Sequence, residues 1–326
     1  MKLFSVYLNF ISIFFIVFSS CEKDKQITNS PDNYCPACDS CANFIKDTLG
    51  GIPREGIELL NERKAPCFNP LNADEFVFVM EQDSSRKTSL VKYNLKTQME
   101  TILLDNIFIN GQPKWGNNGW IALVYGSMLC LVKADGKEVK KLTPFTSIQY
   151  TEWKNDSIIA CQFYANQSNR YYYGEWNIIS GKLDTAINKY FNFGVINSLG
   201  EKAYAEYSGT ANITLENKDA AKKLMNNTAD GKNEIVSIAW HPNNQDIFYS
   251  KVVDGIYQIS KNPTSDSLIK KGCNSRSYNL LSISNDGEKI LVERINATLE
   301  NIKLISYKSD IYIMDIDGRN EEKVFK

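Results

Sequence analysis

Ile283-Ser284-Asn285-Asp286-Gly287-Glu288-Lys289-Ile290-Leu291-Val292 is a polar turn that opens into an apolar strand. The same phrase occurs as Phe68-Asn69-Pro70 before Glu75-Phe76-Val77-Phe78-Val79, as Trp115-Gly116-Asn117-Asn118-Gly119 before Trp120-Ile121-Ala122-Leu123-Val124, and as Trp153-Lys154-Asn155-Asp156 before Ser157-Ile158-Ile159-Ala160. Ile196-Asn197-Ser198-Leu199-Gly200 and Trp240-His241-Pro242-Asn243-Asn244 complete a set of six. The anchors at 68, 115, 153, 196, 240 and 283 lie 47, 38, 43, 44 and 43 residues apart, a period that marks a repeat architecture.

A second phrase, a strand ending in a turn, recurs between these anchors. It is clearest in Leu129-Cys130-Leu131-Val132-Lys133-Ala134-Asp135-Gly136 and in Asp310-Ile311-Tyr312-Ile313-Met314-Asp315-Ile316-Asp317-Gly318. Short β-branched and aromatic runs bounded by Asn-Gly, Asp-Gly and Asn-Asp are hairpin signals, because those turn residues accept a positive φ. A strand before each first phrase and another after each second gives four strands per unit, the size of a propeller blade. The expectation is an all-β, six-bladed β-propeller of four-stranded antiparallel blades over 57–326.

Two blades carry a more particular likeness. Ser284 to Val292 with Asp310 to Gly318 and Val324, and Pro113-Lys114-Trp115 through Ile121-Ala122 with Leu129 to Gly136, resemble the repeats of the TolB-type β-propeller family. The resemblance covers 68–326 and implies the propeller fold and a protein-binding role. The residues ahead of the first repeat are too few for the α/β domain that precedes the propeller in that family.

Met1-Lys2, an apolar run from Leu3 to Phe18, and Ser19-Ser20-Cys21 read as an export signal too short for a comfortable membrane span. Small residues directly before a Cys resemble the lipobox of bacterial lipoproteins, which implies cleavage after residue 20 and acylation of Cys21. The expected address is the bacterial envelope, at the outer membrane, with the membrane itself as one partner through the lipid. Residues 21–34 are polar and read as a tether, and 35–56 as a short Cys-rich segment.

Cys35-Pro36-Ala37-Cys38-Asp39-Ser40-Cys41 invites three chemistries. An iron-sulfur run needs Cys where Ile45 stands, and a haem site needs His where Ala42 stands. An exported protein favours disulfides over thiolate metal sites, so a disulfide cluster of Cys35, Cys38, Cys41 and Cys67 is the leading reading, with thiol redox activity or metal binding as alternatives.

Composition narrows function further. Thirty-seven Lys plus Arg against 38 Asp plus Glu leave a net charge of −1, which offers no basic field for a nucleic-acid backbone. His241 is the sole histidine, so a multi-His metal site is excluded, and its place in Trp240-His241-Pro242 makes it a turn residue of the repeat. Nothing in the chain calls for a cofactor.

In a propeller the loops leaving the fourth strand and those between the second and third strands share one face. Phe108, Tyr150, Tyr190, Lys232, Arg276 and Tyr278 belong to the first kind, and Arg86, Lys87, Tyr164, Arg170 and Tyr207 to the second. Aromatic groups interleaved with Arg and Lys suit a protein or glycan partner, since such groups dominate binding hot spots. Asp156, Glu201, Asp246 and Asp286 fall on the opposite face, where turn chemistry accounts for them. The leading function is therefore a lipid-anchored binding or scaffold module. The alternative is a glycan hydrolase or lyase using channel carboxylates.

Overall fold

The computed structural model describes residues 62–82, 87–142, 148–165, 170–187, 192–207, 210–217, 220–225, 227–228, 235–251, 254–263, 265–273, 276–300 and 303–325. Blade 1 comprises β1 (Glu62–Asn69), β2 (Asn72–Gln82), β3 (Lys87–Asn94) and β4 (Met99–Ile107). Blade 2 comprises β5 (Ile109–Trp115), β6 (Trp120–Tyr125), β7 (Met128–Lys133) and β8 (Val139–Leu142). Blade 3 holds β9 (Ile148–Asn155), β10 (Ile158–Ala165), β11 (Arg170–Asn177) and β12 (Leu183–Ile187). Blade 4 holds β13 (Asn192–Ile196), β14 (Lys202–Tyr207), β15 (Thr210–Glu216), β16 (Ala221–Lys223) and β17 (Asn227–Thr228). Blade 5 has β18 (Ile235–Trp240), β19 (Asp246–Lys251), β20 (Gly255–Ser260) and β21 (Ser267–Lys271), and blade 6 has β22 (Arg276–Ile283), β23 (Lys289–Glu300), β24 (Lys303–Asp315) and β25 (Glu322–Lys323).

Each blade is an antiparallel meander with its strands in chain order. The first strands pack on one another in a closed cycle, β1 on β5, β5 on β9, β9 on β13, β13 on β18, β18 on β22 and β22 back on β1. This is the expected six-bladed propeller. Blade 4 departs from four strands, because β17 adds a short pairing to the far end of β15.

Strand periodicity explains why the blades stack. In β6, Trp120, Ala122 and Val124 join the apolar cluster shared with blade 3, while Ile121 and Leu123 join the one shared with blade 1. A strand buried on both faces reads as a continuous apolar run, which is what 120–124 shows. Six clusters fill the six joints between neighbouring blades. The smallest lies between blades 3 and 4, where Lys154 and Lys202 reach Glu175 at 2.6 and 3.9 Å, and Tyr173 donates to the same carboxylate at 2.7 Å.

The tryptophans that end inner strands act as latches. Trp153 Nε1 donates to Lys114 O at 2.9 Å and Trp240 Nε1 to Val195 O at 3.3 Å, each reaching back to the preceding blade. Cys67 does comparable work from blade 1, since its Sγ accepts from Trp115 N–H at 3.4 Å. Cys67 is thus a free, buried core thiol, not a member of the cysteine cluster, because its position on β1 turns it into the joint with blade 2.

Blades 1 and 6 are each built from consecutive strands, and among the described residues no strand crosses between them to lock the ring. The joint is closed by packing. Phe325, beyond the last strand, lies 5.0 Å from Phe78 and 4.7 Å from Tyr93 between ring centroids, with the Arg63 guanidinium 4.2 Å from its own centroid. Backbone donors complete the seam, Phe68 N–H to Ser282 Oγ and Ala65 N–H to Glu293 Oε2, both at 3.0 Å. Ala65 reaches Glu293 from a bulge in β1 at φ 56°, a left-handed conformation unusual for a residue with a Cβ.

Truncation of a buried aromatic costs about 3–5 kcal/mol, whereas an exposed side chain costs within about 0.5 kcal/mol. Phe325→Ala, at a side chain only 7% exposed, should destabilise the protein by that larger amount in denaturant unfolding, and Phe108→Ala, at 48%, should not; equal effects would contradict the closure. Burial pushes the Glu293 carboxyl up, against the Ala65 N–H, the Lys64 charge and hydrogen bonds from Ser309 and Asn279. A folded-state value above the unfolded ~4.3 means that ionisation of Glu293 disfavours folding as pH rises past that point. Glu293→Gln should therefore be more stable than the parent at pH 8, with the gap narrowing toward pH 4, as thermal melts at the two pH values would report.

Candidate binding face

The short turns joining first to second strands and those joining third to fourth strands lie on one face. Their polar groups are spent on the turns themselves. Asp286 accepts from Ser284 Oγ at 2.5 Å and Glu288 N–H at 3.0 Å, and the Ser284 hydrogen bond above all holds its carboxyl below the usual range. Desolvation works against the Glu201 carboxylate, but Lys261 and Asn197 outweigh it and hold it low. Asp246 accepts from Asn243 Nδ2 at 2.7 Å.

Neighbouring turns also touch. Asn118 Nδ2 donates to Asp156 O at 2.6 Å, and Ser198 pairs with Asn244. His241 does both jobs, since Nδ1 accepts from Asn243 N–H at 3.2 Å while Nε2 lies 3.1 Å from Gly287 O. Those partners assign the neutral tautomer with its proton on Nε2. A Cβ on Gly287, at φ 76°, would sit 2.5 Å from that nitrogen, so the close approach of the two turns requires glycine. The turn-residue reading of His241 holds.

The opposite face carries the loops between second and third strands and the connectors between blades. Phe108 and Lys87 are exposed there, and Tyr150, Tyr164 and Arg276 are half-buried. Arg276 Nη2 donates to Lys271 O at 3.5 Å. Arg170 and Tyr207 stand at the loop-side ends of β11 and β14. Arg86, Tyr190 and Lys232 lie outside the described residues, as do Cys21, Cys35, Cys38 and Cys41.

Tyr278 is a correction. It belongs to the inner strand β22, not to a loop, and is fully buried in the joint between blades 5 and 6. Its hydroxyl donates to Glu321 at 3.2 Å, in a network with Arg294 at 2.8 Å and Lys270 at 3.0 Å from the same carboxylate. Burial opposes ionisation of Glu321, but the two cations outweigh it and hold the carboxyl below its ordinary value.

Sequence reasoning missed three features near the mouth. Lys141 stacks 4.9 Å above the Tyr125 ring. Glu62, Glu81 and Glu293 gather where blades 1 and 6 meet, with Lys64 paired to Glu81. Gln112 Nε2 donates to Pro66 O at 2.6 Å and Leu281 O at 3.0 Å. Blades 2 and 6 are not neighbours, so this amide crosses the inside of blade 1, and Leu280 packs against the cluster of blades 1 and 2 from the same side. Neither Glu293, which follows Leu291-Val292, nor Gln112 carries a local signal of these contacts.

Burial pushes the Cys130 thiol to about 11 and Cys161 to about 12, and raises Cys67, so all three stay protonated and unreactive. Cys273 is disulfide-bonded. Among the described residues no group of three or more His, Cys, Asp or Glu is arranged to hold a metal ion.

No family model matches the sequence, and no curated protein matches it. Solved structures do match. The TolB of Acinetobacter baumannii superposes with a TM-score of 0.60 at 13% identity, over 76% of this chain and 62% of that one, so the chain spans less than two thirds of that relative. An oligogalacturonate lyase of Vibrio parahaemolyticus gives 0.52 at 12% identity over 83% and 79%. The propeller domain of the Trilobed protease from Pyrococcus furiosus, described as having an open velcro topology, gives 0.51 at 11% over 82% and 84%. Identities this low speak for architecture alone. The chain has the six-bladed β-propeller fold that the TolB structure also has.

Proposed function

We propose that this chain is a lipid-anchored envelope protein whose propeller binds a protein or polymer partner on its loop face. One observation carries the choice of face. The loop face gathers aromatic and cationic side chains, with Phe108, Lys87 and Lys141 exposed, Tyr150, Tyr164 and Tyr125 half-buried, and Lys141 over the Tyr125 ring. Aromatic anchors ringed by cations are the usual hot-spot chemistry of a partner surface. The likeness to TolB supports a binding propeller; the likeness to an oligogalacturonate lyase keeps glycan cleavage as the second reading. Against cleavage stand the engaged mouth carboxylates, Glu81 on Lys64 and Glu293 on Ala65 N–H.

Lys87→Glu, Phe108→Ala and Tyr164→Ala together should cut partner capture from envelope fractions at least tenfold, with Tm unchanged. Leu71→Ala with Ile179→Ala on the turn face, at 66% and 83% exposure, should leave capture intact. Undiminished capture by the first set would overturn the assignment of the face. For the anchor, Cys21→Ala should move the protein from the membrane to the soluble fraction, and membrane retention would contradict the lipid.

A further inference from the structure

The chain has eight cysteines, and the structure sorts them. Cys67, Cys130 and Cys161 are free and buried in the joints between blades. Cys273 is disulfide-bonded, so its partner is none of those three. What remains is Cys21, Cys35, Cys38 and Cys41. An acylated Cys21 has no thiol to offer, a step that rests on the lipid reading above.

We propose that Cys273 is joined to one of Cys35, Cys38 and Cys41 and that the other two are joined to each other, stapling the Cys-rich segment to the connector between blades 5 and 6.

Three observations make the connector a suitable receptor. Cys273 N–H donates to Arg276 O at 2.8 Å and Arg276 N–H to Cys273 O at 3.0 Å, so the backbone of Cys273 is fixed to the start of β22. Gly272 N–H donates to Asp254 O at 2.9 Å and ties the residue before Cys273 to blade 5. Glu62, where β1 begins, lies at the same loop-side end of the propeller, one blade away from the connector. A disulfide needs Cα atoms within about 7 Å, and the 20 residues between Cys41 and Glu62 can span about 65–70 Å when extended, so reach is not limiting.

Parity also fits. With three thiols buried and Cys21 acylated, four cysteines make two bridges and leave no thiol in solvent. Each bridge joins two sulfurs with loss of two protons and two electrons. A disulfide-bearing oxidant outside the cytoplasm takes these up by thiol–disulfide exchange.

Peptide mapping of the full chain from envelope fractions tests this, with thiols alkylated under denaturing conditions and no reductant before trypsin. Expected is Gly272–Arg276 linked to Gln26–Lys46, lighter by four hydrogens than the reduced pair and carrying no alkyl group. Cys67, Cys130 and Cys161 should all be alkylated. An alkylated Cys273 would overturn the proposal, as would its linkage to a core cysteine, to a second copy of itself or to Cys21; the last would sink the lipid reading as well. Linkage to Gln26–Lys46 beside an unacylated Cys21 would sink the lipid reading and leave the staple standing. Two alkylated thiols in the linked Gln26–Lys46 would overturn the second bridge.

Discussion

Among the described residues the ring closes without a shared strand, and the rest of the fold depends on that seam. A propeller whose last blade borrows a strand from the chain start is locked by a ladder of backbone hydrogen bonds. Here blades 1 and 6 each complete their own meander, so Phe325 among Phe76, Phe78 and Tyr93, together with two backbone N–H groups, must hold the circle. The Ala65 bulge follows from this, because an ordinary strand would aim that N–H along its own ladder instead of at Glu293.

The joints divide labour between apolar and charged contact. Aliphatic clusters between blades 1 and 2, 2 and 3, and 4 and 5 supply adhesion. Glu175 between blades 3 and 4, and Glu321 between blades 5 and 6, sit under two cations each. Pairs buried as deeply as Glu321 with Lys270 add little net stability over apolar packing but are costly to break singly. The two faces then diverge. Tight turns on one face engage their own polar groups, and the longer connectors of the other carry the exposed Phe108, Lys87 and Lys141.

Much of this was legible in local chemistry. All six anchors of the repeat fall at or within two residues of the end of an inner strand, at Phe68, Trp115, Trp153, Ile196, Trp240 and Ile283. That accuracy comes from turn residues, whose conformational demands are met within four or five residues of chain. His241 was readable for the same reason. Tyr278 was not, because a register shift between Tyr278 and Leu281 interrupts the regular pairing of the inner strand there. Cys67, Gln112 and Glu293 escaped because their partners are 48, 46 and 228 residues distant, and no local pattern encodes a contact across the ring.

Hydrogen exchange at the seam tests the central claim most directly. If packing of blade 6 on blade 1 makes the ring one cooperative unit, the Ala65 and Phe68 amides should exchange as slowly as those of β6 in blade 2, opening only with global unfolding. Exchange of these seam amides within seconds, while β6 stays protected, would show a ring that opens at blades 1 and 6 and would contradict the account.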